Sequence, residues 1–467
     1  MYKKRKIFSL SLIISLCFGV FTWIVFYPGV LSADSLYTYY EASTGSFSDV
    51  RPPLLTLILF ILLKVGGNIG LLTFVECLLG FLGVRRLALA LLKLFASRRA
   101  FQEIATSFII LLLSSPLTPM PIYFATFWFD SWLAIFLLWV SALLIEVAIE
   151  VPVAPSRIRP KVFLIILFIT LVMLIRLNST ILYLPLILAL SWVLFRLHLP
   201  LKKLIMVLLS PIIFYFLFLF FQYNILEVRK VHTERVPFAL DLASMLTYDP
   251  TICKNLSLPS CQIVLEEFPP EFVVGKGAID RTMNQGLGRS DPGFIDLVMS
   301  PYLSEDLLLA ATNYPLTYGI VKGLNFLDYI SPRDQYYYQS FMHPNNLNLK
   351  FNSHFEFVRN TLFRVLHTVY KHPILKLFSF VHFPWIVLNL FGIFYYLKSG
   401  QNAVVQKLLG LVLLTPGLYY FSYLLALTAS EFRYMYPSTL LIQVIFLAFM
   451  LRKLISGKQR ELWTNAS

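Results

Sequence analysis

The chain has 467 residues, 58% of them hydrophobic and 14% charged, and its mean hydropathy is +0.72. A soluble domain carries roughly 25% charged residues, so this composition excludes an ordinary soluble enzyme and describes a polytopic membrane protein. The formal net charge of +14 sits in short clusters between apolar runs: Arg85 with Arg86, Lys93 with Arg98 and Arg99, Arg157 with Arg159 and Lys161, Arg196 with Lys202 and Lys203, Lys398 with Lys407, and Arg452 with Lys453, Lys458 and Arg460. Short basic loops orient helices by the positive-inside rule. No nucleic acid is needed to explain them.

In chain order, the first apolar run, 7–27, follows Lys3, Lys4, Arg5 and Lys6. It is longer than the roughly 7–15 residues of a signal-peptide core and many more runs follow, which predicts an uncleaved first span. A polar loop, 28–52, comes next, and the run 53–65 is too short to cross a bilayer, so it is expected at the outer interface or dipping partway in. Further spans are expected at 70–92, 103–119 and 130–149, two within 162–197 broken near Arg176 and Asn178, one at 204–222, and three at 374–396, 407–426 and 435–451. This is an all-α polytopic bundle of about ten spans, with both termini cytoplasmic and with loop 28–52 and stretch 223–372 on the opposite side.

The chain divides into an N-terminal transmembrane module (1–222), an extracytoplasmic stretch (223–372), and C-terminal helices with a cytoplasmic tail (373–467). The middle stretch has helix-like patches at 304–314 and 360–370 and too many apolar residues for disorder, so a small, mostly helical domain is expected. Cys17 and Cys77 lie in apolar runs as packing residues. Cys253 and Cys261 flank the polar turn KNLSLPS and are either a local disulfide of an oxidising compartment or two free thiols. No P-loop, GxGxxG, CxxC or HExxH pattern occurs, which disfavours a nucleotide-driven pump or a zinc protease.

The first loop reads Asp34-Ser35-Leu36-Tyr37, then Ala42, Gly45, Asp49 and Arg51-Pro52-Pro53-Leu54. This pattern resembles the first outer loop of the GT-C glycosyltransferase superfamily, closest to the branch of protein O-mannosyltransferases and lipid A aminoarabinose transferases. Ser115-Pro116 ending the third run, Asp130 opening the fourth in FWFDSWLA, and a large outer segment after the seventh follow the same order. The phrase Asp241-Leu242-Ala243 is similar to one in a set of bacterial polytopic membrane proteins with the same loop. The resemblance covers residues 1–150 and beyond them rests on topology. Ser35 departs from it where many members carry a second acid, and Arg51 where many carry Lys or His.

The resemblance implies a GT-C-like bundle in the inner membrane of a bacterium. Its active site would be extracytoplasmic, its donor a polyprenyl-phosphate-linked sugar, and its acceptor a cell-envelope glycan, lipid or protein. Asp34 would be the base, because a carboxylate at the interface can take the acceptor's proton; the alternative is a solvated carboxylate or a helix cap. Asp130 would bind acceptor or metal, or cap its helix. Arg176, a charge at apparent membrane depth, would grip the donor phosphate in a bidentate way or snorkel to the interface. Arg433 would be a second phosphate ligand or a local partner of Glu431.

Tyr37, Asp49, Arg51, Asn178, Glu431 and Tyr434 complete the expected substrate site. Branch members share no single metal requirement, so a magnesium or manganese ion on Asp34, Asp49 or Asp130 is left open. Glu76 is an intramembrane acid and hence a further candidate. His232, His343 and His354 lack ligand spacing, and the run Tyr336, Tyr337, Tyr338 fits an interfacial aromatic belt. The rival function is a transporter or flippase for a lipid-linked or polysaccharide precursor, which the scarcity of intramembrane charge and the lack of inverted repeats disfavour. A noncatalytic envelope scaffold is the third.

Overall fold

The long Leu-, Ile- and Phe-rich runs of the sequence become helices, because a backbone in hydrocarbon must bond to itself. The computed structural model describes residues 9–95, 98–151, 158–195, 200–267, 292–330, 349–398, 404–425 and 432–464. The first half carries α1 (Leu10–Phe26), α2 (Ala33–Thr44), α3 (Leu54–Lys64), α4 (Ile69–Phe95), α5 (Arg99–Ser114), α6 (Met120–Ala125), α7 (Phe129–Glu150), α8 (Ile158–Ile175), α9 (Tyr183–Phe195) and α10 (Leu201–Asn224). Then come α11 (Val236–Tyr248), α12 (Thr251–Leu256), α13 (Ser260–Glu267), α14 (Pro292–Met299), α15 (Leu303–Asn313) and α16 (Pro315–Ile330). The chain continues through α17 (Glu356–Lys371), α18 (Pro373–Ser379), α19 (Phe383–Lys398), α20 (Val404–Leu425) and α21 (Phe432–Thr464). Among the described residues there is no strand, only the isolated bridges Val30 with Thr126 and Ser48 with Arg229.

Each of the ten expected runs holds a helix; among the described residues six helices are long and apolar enough to cross a bilayer, or seven if α18 and α19, bent by 53°, form one span. The runs outside this set fall short for physical reasons. With 17 and 16 residues, α1 and α5 reach only about 24–26 Å against a hydrocarbon core of about 30 Å. Helix α4 has 27 residues but carries Glu76, Arg85, Arg86 and Lys93. Run 53–65 forms the short α3, and the polar loop before it contains α2.

Helix α7 is apolar on nearly every side, so it occupies the middle of the bundle with 78% of its core window buried; α10, with 6% buried, lies at the edge. Ion pairs fix one end of the bundle. Arg86 donates to both oxygens of Glu146 at 2.8 and 2.9 Å, and Lys161 reaches Glu146 and Glu150 at 2.7 Å each. Nearby, Glu103 accepts from Ser11 Oγ at 2.6 Å, while Arg85 donates to the hydroxyls of Ser9 and Ser11. Asp130 starts α7 at the opposite end, about 24 Å away at 1.5 Å per residue.

Residues of α11 to α16 form a second apolar core around Leu240, Leu242, Met245, Leu246 and Leu297. Helix α17 packs on the bundle instead: Leu366 and Val369 join the main core, and buried Arg359 donates to Val25 O at 2.9 Å and Asn352 O at 2.6 Å. Cys253 and Cys261 are disulfide-bonded with Cα atoms 5.6 Å apart. Closing so short a loop stabilises the folded domain by about 2–3 kcal/mol through the unfolded chain. Cys253→Ser is therefore expected to lower the domain's midpoint in urea, read by proteolysis of the full chain, and to leave site chemistry nearly unchanged.

Asp241 on α11 is buried and receives Lys322 Nζ at 2.5 Å. Burial pushes its carboxyl up to about 6, against the pull of Lys322. A carboxyl raised in the fold contributes stability that is present below its unfolded pKa of about 4 and is lost as pH rises through about 6. Unfolding of the domain should thus be less favourable at pH 4 than at pH 7 by about 2–3 kcal/mol from this group. Asp241→Asn should flatten that dependence; Tyr318, the other titratable neighbour on α16, ionises far above this window.

Candidate functional site

The cap of α2 fixes Asp34. The Ser32 hydroxyl accepts from Ser35 N–H at 3.3 Å and the Ser35 hydroxyl accepts from Ser32 N–H at 3.2 Å, a reciprocal box. Ser35 also donates to Phe127 O at 2.7 Å, and Trp128 Nε1 donates to Ser32 Oγ at 2.9 Å. Ser35 thus forms a cap that docks α2 on the turn into α7. Gly45, at φ +72, ends α2 in the left-handed conformation, its N–H bonded to Glu41 O.

From this helix start Asp34 accepts two guanidinium bonds, Oδ1 from Arg51 and Oδ2 from Arg433 Nη2 at 2.6 Å. Arg51 precedes Pro52, which disfavours helical backbone at this position. Its guanidinium lies 4.9 Å from the Tyr37 ring centre. The Tyr37 and Ser48 hydroxyls meet at 3.2 Å, and Ser48 donates to Glu41. Burial raises the Glu41 pKa above its ordinary value, while Ser48, Arg51 and Tyr37 pull it down. Glu41 was not among the sequence candidates, although Asp34, Tyr37 and Glu41 stand at helical i, i+3, i+7 spacing on one face.

Asp49 serves the other side of the loop. Its carboxylate accepts from Val231 N–H at 2.6 Å and from the Tyr223 hydroxyl at 3.3 Å, beside the Ser48–Arg229 bridge. These bonds dock the loop on the chain leaving α10.

Asp130 and Arg176 form an ion pair, with side chains 4% and 17% exposed. Trp128 holds the N-cap position of α7, so Asp130 is a first-turn acid whose carboxylate goes to Arg176 rather than a cap. Arg176 is extended between α8 and the 3-10 turn Leu177–Leu182, where the Ser179 hydroxyl donates to Val172 O and, at 2.7 Å, to Arg176 O. Its guanidinium lies 4.6 Å from the Tyr434 ring centre. It turns to Asp130 and this ring, not outward along the interface.

Arg433 lies near the start of α21, and a proline frees its carbonyl. Pro437, four residues on, has no N–H for the Arg433 carbonyl, and the Tyr123 hydroxyl donates to that oxygen instead at 3.1 Å. Next to it, His382 Nε2–H donates to Phe432 O at 3.0 Å and its ring stacks on Phe432 at 4.6 Å. His382 Nδ1 meets Thr439 Oγ1 at 2.6 Å, which in turn meets the Tyr420 hydroxyl at 2.7 Å. His382 was missed in the sequence; its one signal is a lone imidazole in the apolar phrase Val381-His382-Phe383.

The Arg433 guanidinium lies 4.9 Å from the centres of both Trp128 and Tyr434 and donates to Tyr434 Oη at 3.2 Å. Tyr434 therefore touches both arginines. Its ring runs parallel to Tyr423, which hydrogen-bonds Asn178 and, at 2.9 Å, Tyr419. Asp130 also lies within the fields of Arg433 and Asp34, so the two pairs are one electrostatic group. Asp34, Tyr37, Arg51, Asp130, Arg176, Asn178, Arg433 and Tyr434 are thus brought together at one end of the bundle.

Glu431, His343, Tyr336, Tyr337 and Tyr338 lie outside the described residues. Glu76 is fully buried in α4, its carboxyl against Ser131 and Trp132 without a hydrogen bond of good geometry. His232 pairs with Glu234 at 3.0 Å, and His354 bonds Asn352 at 2.8 Å, so neither joins the group.

Three guanidiniums converge here on Asp34 and Asp130, and such a concentration of planar donors suits an anion. A magnesium or manganese ion fits less well. Asp34 and Asp130 already face guanidiniums that repel a second cation, Asp49 is held by Val231 and Tyr223, and among the described residues no three His, Cys, Asp or Glu side chains converge. Compared with protein-family models, curated proteins and solved structures, the chain matches none.

Proposed function

We propose that the chain is a GT-C-like membrane glycosyltransferase that moves a sugar from a polyprenyl-phosphate donor to an acceptor on the outer face of a bacterial inner membrane. The observation that carries this reading is Asp34 held between Arg51 and Arg433 beside the Asp130–Arg176 pair, at the end of the bundle opposite the Arg86–Glu146–Lys161 ion pairs.

In this mechanism the acceptor hydroxyl attacks the anomeric carbon and its proton passes to an Asp34 oxygen. A C–O bond to the acceptor forms, the bond from sugar to phosphate oxygen breaks, and the electron pair leaves with the polyprenyl phosphate. Arg176 and Arg433 stabilise that developing charge, planar donors fitted to phosphate oxygens. The phosphate competes with Asp34 for Arg433, so donor binding loosens the clamp on the base. The rings of Trp128, Tyr434 and Tyr423 fix the arginines and wall the sugar.

The test is mass-spectrometric identification of the lipid that copurifies with the full chain, followed by transfer with that lipid. A polyprenyl-phosphate sugar retained by wild type and lost from Arg433→Ala supports the enzyme. A complete polysaccharide precursor carried without transfer supports the transporter, and bulk phospholipid alone in both proteins counts against a lipid-linked substrate.

A further inference from the structure

The phrase Asp241-Leu242-Ala243 has no part in the chemistry above, yet Asp241 anchors a contact between the α11–α16 domain and the bundle. Lys322 on α16 is buried, and its ammonium is shared: one bond of 2.5 Å to Asp241 Oδ2 and one of 2.9 Å to Leu425 O. Leu425 is the last described residue of α20, and its carbonyl accepts from this buried ammonium. A buried ion pair is a poor source of net stability but a strong constraint on geometry, since breaking it strands a charge.

Helix α16 is tied to the bundle a second time. Ile330 O, at its end, accepts from His382 N–H at 3.1 Å, and His382 carries Phe432, the neighbour of Arg433. Tyr423, two residues before Leu425, is the ring that stacks on Tyr434 and bonds Asn178. One helix of the appended domain therefore holds both elements that bracket Tyr434 and Arg433.

We propose that Asp241 and Lys322 are positioning residues that fix α20 at Leu425, so that the α11–α16 domain sets the place of Tyr423 and Tyr434 against Arg176 and Arg433. This rests on the reading of the arginine group as the donor-phosphate site. Asp241 acts through Lys322, and neither touches substrate. The domain is thereby a structural part of the site.

The experiment uses the full chain in nanodiscs and two readouts: amide hydrogen exchange over residues 419–425, and affinity for farnesyl phosphate as the probe. Lys322→Met is expected to speed exchange in that segment and weaken the probe by about 3- to 30-fold, the usual range for coupling through an intermediate element. Lys322→Arg, which keeps a cation able to reach both acceptors, should restore most of each. Should Lys322→Met fail to fold, Asp241→Asn, which keeps the shape and removes the charge, carries the same two readouts. A folded variant whose 419–425 exchange equals wild type overturns the proposal. If wild type itself does not bind farnesyl phosphate, the donor-site reading fails, and exchange alone decides whether the lysine fixes α20.

Discussion

Asp34→Asn is expected to reduce transfer by about 10²- to 10⁴-fold, the contribution of a positioned general base. The amide keeps the shape of the carboxylate but cannot take the acceptor's proton. Its surroundings sharpen the expectation, because both Asp34 oxygens accept from guanidiniums, Arg51 on one side and Arg433 on the other. An Asn side chain offers only one acceptor oxygen, so its NH2 must face an arginine donor and one of the two pairs is lost. The variant should therefore also bind the donor differently. Asp34→Glu separates the effects, since it keeps the charge for both arginines while moving the oxygens by one methylene. Initial rates with a polyprenyl-phosphate sugar, measured beside thermal melting of each protein, check this: loss of rate in the Asn variant without loss of folding is the expected result. Wild-type turnover by Asp34→Asn would remove the residue from the mechanism.

What could be seen in the sequence was the part that membrane physics makes visible one residue at a time. Arg176 stood out because a guanidinium inside an apolar run demands a partner, and the structure supplies Asp130. Asp34 and Arg433 stood out at the ends of runs, where polar groups can meet. The joining of these positions was not legible, because the contacts are remote: Arg433 is 399 residues from Asp34 and 310 from Tyr123. Nothing local in Tyr123 shows that it satisfies a carbonyl freed by Pro437. Glu41 escaped for a different reason, since in a short half-polar helix an acid reads as solvated until Ser48 and Arg51 close over it. Apolarity alone does not register the shortness of α1 and α5 or the charges of α4, which set these three apart from the helices long and apolar enough to cross a bilayer.

Arg176→Lys is expected to weaken donor use by roughly 10- to 100-fold in kcat/KM, since one of two charge-assisted bonds to phosphate, worth about 1.5–3 kcal/mol, is lost. Lysine keeps the positive charge that Asp130 requires, so protein level should change little. It cannot keep the flat donor pair, nor the stacking on Tyr434 at 4.6 Å. The more drastic Arg176→Ala is a poorer test, because it strands the Asp130 carboxylate, which is 4% exposed, and breaking a buried pair costs about 3–5 kcal/mol of folding. Pairing Arg176→Met with Asp130→Asn removes both charges together. That double variant should recover the folding that Arg176→Ala loses and still fail to use donor, because no guanidinium remains beside Tyr434 on that side. Donor KM and melting temperature measured across the lysine, alanine and double variants distinguish the roles. If the double variant regains donor use along with its fold, Arg176 is a counter-ion for Asp130 and the phosphate belongs to Arg433 and Arg51.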